Sequence, residues 1–164
     1  MLKEVANLKG MVVSGYETTF ISNIQFAVWE EVARQHYYSN KHNFDSCSLL
    51  EDVESHPDGL LCVQKQLLRD ISGNNNLIIS NVYEGALQLE KVIQMNKVLI
   101  VVDNIDDKDK LSTLFGTKVF PRTQSKIIIT TRLLKIDKWF GTMSWKCYVH
   151  EVELLILWRK SASS

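Results

Sequence analysis

The run Val98-Leu99-Ile100-Val101-Val102 is wholly apolar and mostly β-branched, bounded by Asn96-Lys97 before it and Asp103-Asn104-Ile105-Asp106 after it. A short apolar run between polar boundaries is the pattern of a strand buried on both faces of a parallel sheet, where alternation is lost because neither face meets water. Ser125-Lys126 opens a second run, Ile127-Ile128-Ile129, which ends in Thr130-Thr131-Arg132. The interval between the two holds about one crossover helix, as a right-handed βαβ unit requires. Further strands are predicted at residues 5–13, 46–50 and 148–152.

Elsewhere the apolar positions recur at three and four residues, the period of amphipathic helices. Ile21, Ile24, Val28 and Val32 mark a helix over residues 20–35, for which Thr18 is a suitable N-cap. Leu60, Val63, Leu67 and Ile71 mark another, opened after the turn His56-Pro57-Asp58-Gly59 and stopped at Gly73 before Asn74-Asn75-Asn76. A third begins near Asn81, with Glu84 completing a capping box, and carries Ala86, Leu89 and Ile93. Leu111, Leu114 and Phe115 form the packing face of a fourth, and Leu133, Leu134, Ile136 and Trp139 indicate a short fifth. Residues 34–43 show no period and are expected as a loop, with His36 and His42 as solvated side chains rather than metal ligands. Strands alternating with helices predict an α/β fold, with about five strands in one parallel sheet and helices on both faces.

Ligands of such sheets collect at the carboxyl ends of the strands. Asp103 therefore stands where a carboxylate holds a hydrated Mg²⁺ beside a nucleotide, although a turn cap is the simpler role for a single aspartate. Asp106, Asp107 and Asp109, interleaved with Lys108 and Lys110, read as the solvated first turn of a helix, whose N-terminus favours carboxylates, before they read as a metal cluster. Near the start, Gly10 and Gly15 stand with four residues between them and Thr18-Thr19 follow. A P-loop has such glycines, then Lys and a hydroxyl residue opening a helix that faces phosphate. Here the Lys is absent and Tyr16-Glu17 take its place, so on its own the segment is an ordinary strand and turn.

At 164 residues, 45% apolar and 23% charged, the chain is sized for one core. Its 19 basic and 19 acidic residues give no net field to draw it onto nucleic acid or an anionic membrane. Three widely spaced cysteines, Cys47, Cys62 and Cys147, form no CxxC pair, so neither a disulfide framework nor a zinc site is expected. No stretch reaches the roughly 18 apolar residues of a membrane span. These features suit a soluble protein of the reducing cytoplasm.

Taken together, Phe44-Asp45, Leu50-Glu51-Asp52-Val53, Gly59-Leu60, Gln64-Lys65-Gln66-Leu67-Leu68 and the two runs ending in Asp103 and in Thr130-Thr131-Arg132 resemble the NB-ARC nucleotide-binding domain of plant Toll-type disease-resistance receptors. The resemblance extends from about Phe44 to Leu155. It implies a P-loop NTPase-like sheet, with 1–155 as the nucleotide-binding subdomain, 1–43 divergent, and 156–164 a divergent tail. It makes the early glycine segment a degenerate P-loop, so that Gly10, Gly15, Thr18, Thr19, Asp103 and Arg132 become the nucleotide-binding residues. Thr18 and Asp103 become the Mg²⁺ ligands, and Arg132 matches the arginine that senses the terminal phosphate. The implied cofactor is ADP or ATP with Mg²⁺, bound weakly or not at all. The resemblance also implies an acidic residue where this chain has Asn104, which cannot act as a general base, so ATP turnover is expected to be absent or very low. Three functions stand open: an impaired ADP/ATP-binding module of an immune receptor, a weak ATPase, and a nucleotide-independent fragment that associates with other receptor chains.

Overall fold

The computed structural model describes residues 30–116 and 124–131, together with two strands at Lys146–His150 and Leu154–Trp158. A helix whose described part covers residues 30–40 (α1) runs into a 3-10 turn at Lys41–Asn43. Then follow β1 (Ser46–Leu50), α2 (Gly59–Ser72), α3 (Val82–Met95), β2 (Val98–Val102), α4 (Lys108–Phe115) and β3 (Lys126–Thr130). The two later strands are β4 (Lys146–His150) and β5 (Leu154–Trp158). No helix among the described residues is long and apolar enough to cross a membrane.

The fold is α/β. β1, β2 and β3 are parallel neighbours, with Ile100 opposite Ser48 on one side and opposite Ile127 on the other. Every residue of β2 is buried. Val98, Ile100 and Val102 point into a core built with α2, α3 and α4, while Leu99 and Val101 pack with Ala33 of α1 and Ile128 on the opposite face. Alternate side chains of a strand face opposite ways, so an unbroken apolar run is what a strand covered on both sides must have. Each such side chain stabilises the fold by about 1.5–3 kcal/mol.

The expected parallel sheet of about five strands is corrected to three parallel strands. β5 runs antiparallel to β3, with Ile128 opposite Ile156, and β4 runs antiparallel to β5 at the edge. A parallel crossover needs a dozen or more residues, and the chain leaves β4 at His150 and enters β5 at Leu154, which only a hairpin can span. β5 is thus the neighbour of β3, while residues 5–13, expected as a further strand, lie outside those described. The strand expected at 148–152 is found two residues earlier. The fifth helix, expected around Leu133 to Trp139, also lies outside the described residues.

The helix ends follow their local chemistry. Gly73 closes α2 at φ 65°, a left-handed conformation that costs glycine little. Asn81 accepts from the Glu84 N–H at 2.9 Å, and the Glu84 carboxylate reaches back to the Ser80 N–H at 2.9 Å, one residue earlier than in the usual capping box. Asp107 caps α4 by accepting from the N–H groups of Asp109 and Lys110, so the acidic patch is indeed a helix start. The expected loop over 34–43 is instead helical to residue 40. Tyr37 lies against the α1-side core, which extends the packing face beyond the last aliphatic residue. His36 is accordingly not a solvated side chain: it is half-buried, with its Nε2 3.1 Å from the Lys126 Nζ.

Gln64 joins three helices from inside the core. Its amide nitrogen donates to the carbonyls of Val82 and Thr113, each at 2.9 Å, and of Leu114 at 3.2 Å. The last two belong to the final turn of α4, where carbonyls have no partner within the helix. Gly85 gives the Gln64 side chain its room: a Cβ there would stand 2.7 Å from Gln64 Cδ and 3.0 Å from Ile79 Cδ1.

Two predictions come from this packing. Gly to Ala in a helix ordinarily stabilises by about 1 kcal/mol. Gly85→Ala should instead destabilise by roughly 1–3 kcal/mol, because the new methyl displaces Gln64 from its carbonyls. A lower urea midpoint at unchanged slope confirms this, and a higher midpoint contradicts it. For His36, burial and the neighbouring Lys126 charge both hold the imidazole below its ordinary value of 6.5. Below that value the unfolded chain takes up a proton that the folded chain resists, so stability present above it is lost as pH falls. Urea midpoints measured from about pH 8 to about pH 5 should fall on the acid side, and His36→Gln should flatten part of that slope.

Candidate functional site at the carboxyl edge of the sheet

The three parallel strands end together, and the loops beyond them are zipped by backbone bonds. The Asp103 N–H donates to the Leu50 carbonyl at 2.7 Å, the Val53 N–H to the Asp103 carbonyl at 2.9 Å, and the Glu54 N–H to the Asn104 carbonyl at 2.7 Å. The Ile105 N–H reaches the Thr130 carbonyl at 3.2 Å, tying in β3. Asp103 is thereby fixed at the carboxyl end of β2, 3% exposed, where an apolar strand running into an aspartate leads one to expect it.

Its carboxylate is held from two sides. Oδ1 accepts from the Thr130 hydroxyl at 2.8 Å, and the same hydroxyl accepts from the Asn104 N–H at 2.8 Å, so its rotation is fixed. Oδ2 faces the Arg34 guanidinium of α1 at 3.5 Å. Arg34 also lies 3.5 Å from Glu51 Oε1 and 3.3 Å from Glu31 Oε2. Burial works against the Arg34 charge, but Asp103, Glu31, Glu30 and Glu51 together raise its pKa above the ordinary arginine value. Among the described residues one guanidinium therefore faces three carboxylates within 3.5 Å, and Asp103 is the buried one of the three.

Asn104 sits at φ 55°, a left-handed conformation that asparagine tolerates better than most residues. Its amide donates to Asp52 Oδ1 at 2.7 Å, so the side chain serves the turn. Glu54 braces the same turn, accepting from the Asp106 N–H at 3.0 Å and from Lys110 Nζ at 2.6 Å.

Of the six residues expected to bind nucleotide, Asp103 alone is described. Gly10, Gly15, Thr18, Thr19 and Arg132 lie outside the described residues, as does the Thr18 half of the expected metal pair. Sequence reasoning missed Arg34, which fell in a segment read as a loop. The signal was there in Glu30-Glu31 three and four residues before it, the spacing of helical ion pairs. Thr130 was legible as a hydroxyl ending a buried strand, without its partner being evident.

No family model matches the chain. Among curated proteins, it is 34% identical over 104 residues to "Disease resistance protein RPV1" of Vitis rotundifolia. It is 33% identical over 94 residues to "TMV resistance protein N" of Nicotiana glutinosa. The chain is thus similar in sequence, over about three fifths of its length, to plant disease-resistance proteins. The matched stretches cover 62% and 57% of this chain but only 7% and 8% of those two proteins. "Disease resistance protein LAZ5" of Arabidopsis thaliana matches at 28% over 97 residues, 58% of the chain and 8% of its own length.

Proposed function

We propose that this chain is a piece of the ADP/ATP-binding module of a plant innate-immunity receptor, of the NB-ARC type, and that its nucleotide switch is impaired. The observation that carries the reading is the similarity to disease-resistance proteins over 62% of the chain. Two features of the chain support impairment. The segment from Gly10 to Thr19 has Tyr16-Glu17 and no Lys, so a carboxylate stands where phosphate would need a cation. Asp103, the residue fit to hold Mg²⁺, already has its Oδ2 against Arg34, which must give way before an ion can bind there. Asp103 would hold Mg²⁺ through its carboxylate, and the ion would supply positive charge to offset the negative charge of a nucleotide's phosphates. Asn104 is committed to Asp52 and offers no carboxylate for water activation, so turnover is not part of the proposal.

The same ion pair favours a second reading, a nucleotide-independent fragment that associates with other receptor chains in the cytoplasm: a carboxylate that draws its cation from its own chain needs no ligand to be satisfied.

Calorimetry with ADP–Mg²⁺ separates the two. A charge-assisted hydrogen bond contributes about 1.5–3 kcal/mol, so loss of the Lys alone weakens binding roughly ten- to a hundredfold. The parent chain should bind ADP weakly, and a variant with Tyr16 deleted and Glu17→Lys should gain about an order of magnitude or more. Tight binding by the parent contradicts impairment. No gain in the repaired variant supports the nucleotide-independent reading, and ATP hydrolysis by either protein contradicts both.

A further inference from the structure

The loop between β1 and α2 gathers three side chains of different chemistry. His56, Asp58 and Cys62 each place one ligand atom in a group whose members all lie within 4.8 Å of one another. The chain path explains why. Asp58 is the N-cap of α2 and Cys62 stands four residues on, so the two share a helix face. Gly59, at φ 73°, donates its N–H to the His56 carbonyl at 3.1 Å and folds the histidine back over the helix start.

We propose that His56, Asp58 and Cys62 bind one borderline divalent cation, with Zn²⁺ as its type and water completing the coordination. One imidazole nitrogen, one carboxylate oxygen and one sulfur form a donor set that suits Zn²⁺ or Co²⁺ and not Mg²⁺ or Ca²⁺, which take oxygen. Tetrahedral bonds of about 2.0–2.3 Å put ligand atoms about 3.5 Å apart, so small side-chain rotations close the site. An N-cap aspartate ordinarily accepts from the first turn, yet the Asp58 carboxylate makes no capping bond. The His56 Nδ1 accepts the Asp58 N–H at 3.3 Å, so its lone pair already faces the helix start, in a bond long enough to be exchanged for a metal. Binding releases the Cys62 thiol proton to solvent, and thiolate plus carboxylate then balance the two charges of the ion, so that no net positive charge is added beside the helix N-terminus. The cluster is half-exposed and open to an entering ion. A bound ion would also stiffen the loop whose Val53 and Glu54 N–H groups hold the carbonyls of Asp103 and Asn104.

The test titrates the full chain with Zn²⁺ alone in a calorimeter, and with Co²⁺ under absorption spectroscopy. One equivalent should bind, and His56→Ala, Cys62→Ser and the exposed-site variant Asp58→Asn should each weaken it by more than about tenfold, with circular dichroism unchanged. The sulfur-to-Co²⁺ charge-transfer band should vanish in Cys62→Ser and persist in Cys47→Ser and Cys147→Ser. Absence of binding, undiminished Zn²⁺ affinity in the His56 and Cys62 variants, or a band that follows Cys47 or Cys147 would overturn the proposal.

Discussion

Burial of β2 on both faces is the constraint on which the rest depends. Its five side chains divide between two cores, three toward α2, α3 and α4 and two toward α1, so neither layer forms without the strand between them. Strands β1 and β3 satisfy its backbone on both edges, and their apolar residues join the same two cores. Because the strand cannot slide by one residue without exchanging its faces, Asp103 is delivered to one fixed point at the carboxyl edge. Chemistry at that edge is therefore a consequence of packing in the middle of the sheet.

At that point electrostatics takes over from packing. The Asp103 side chain is 4% exposed and Arg34 32% exposed, which puts their pair between two regimes. Exposed pairs contribute up to about 1 kcal/mol, whereas breaking a buried pair costs about 3–5 kcal/mol because a charge is left uncompensated. Thr130 lessens the cost of burying Asp103 by donating to it, but a neutral hydroxyl does not replace a cation. Arg34 thus links α1 to the sheet edge, a contact between residues 69 apart in the chain.

How far the sequence foretold this differs by feature. Val98–Val102 and Lys126–Thr130 were legible because a strand covered on both faces leaves a contiguous apolar signature, and Asn81 with Glu84 was legible because capping is local. The antiparallel hairpin of β4 and β5 was missed because residues 156–164 were expected as a divergent tail rather than as part of a strand, although so short a link after His150 allows only a hairpin. α1 was cut short at Gln35 because aromatic Tyr37 carried the packing face onward where aliphatic residues stopped. In the site, Asp103 was found from its place after a strand. Arg34 was not: the Glu30-Glu31 spacing could have placed it on a helix, but its contact with Asp103, 69 residues away, has no local signature. The His56, Asp58 and Cys62 group likewise has no standard metal spacing and becomes visible only when the turn at Gly59 folds it together.

The central claim is that the carboxyl edge is satisfied from within the chain by Arg34 acting on Asp103. A double-mutant cycle measures it directly: urea unfolding free energies of the parent, Arg34→Met, Asp103→Asn and the double variant. Arg34 has other carboxylate partners, and the cycle removes their share. A coupling of about 1–3 kcal/mol, with the double variant less destabilised than the sum of the singles, is the predicted result. Additivity within about 0.5 kcal/mol would mean that Asp103 is held by Thr130 alone and that its edge of the sheet stands open to another cation.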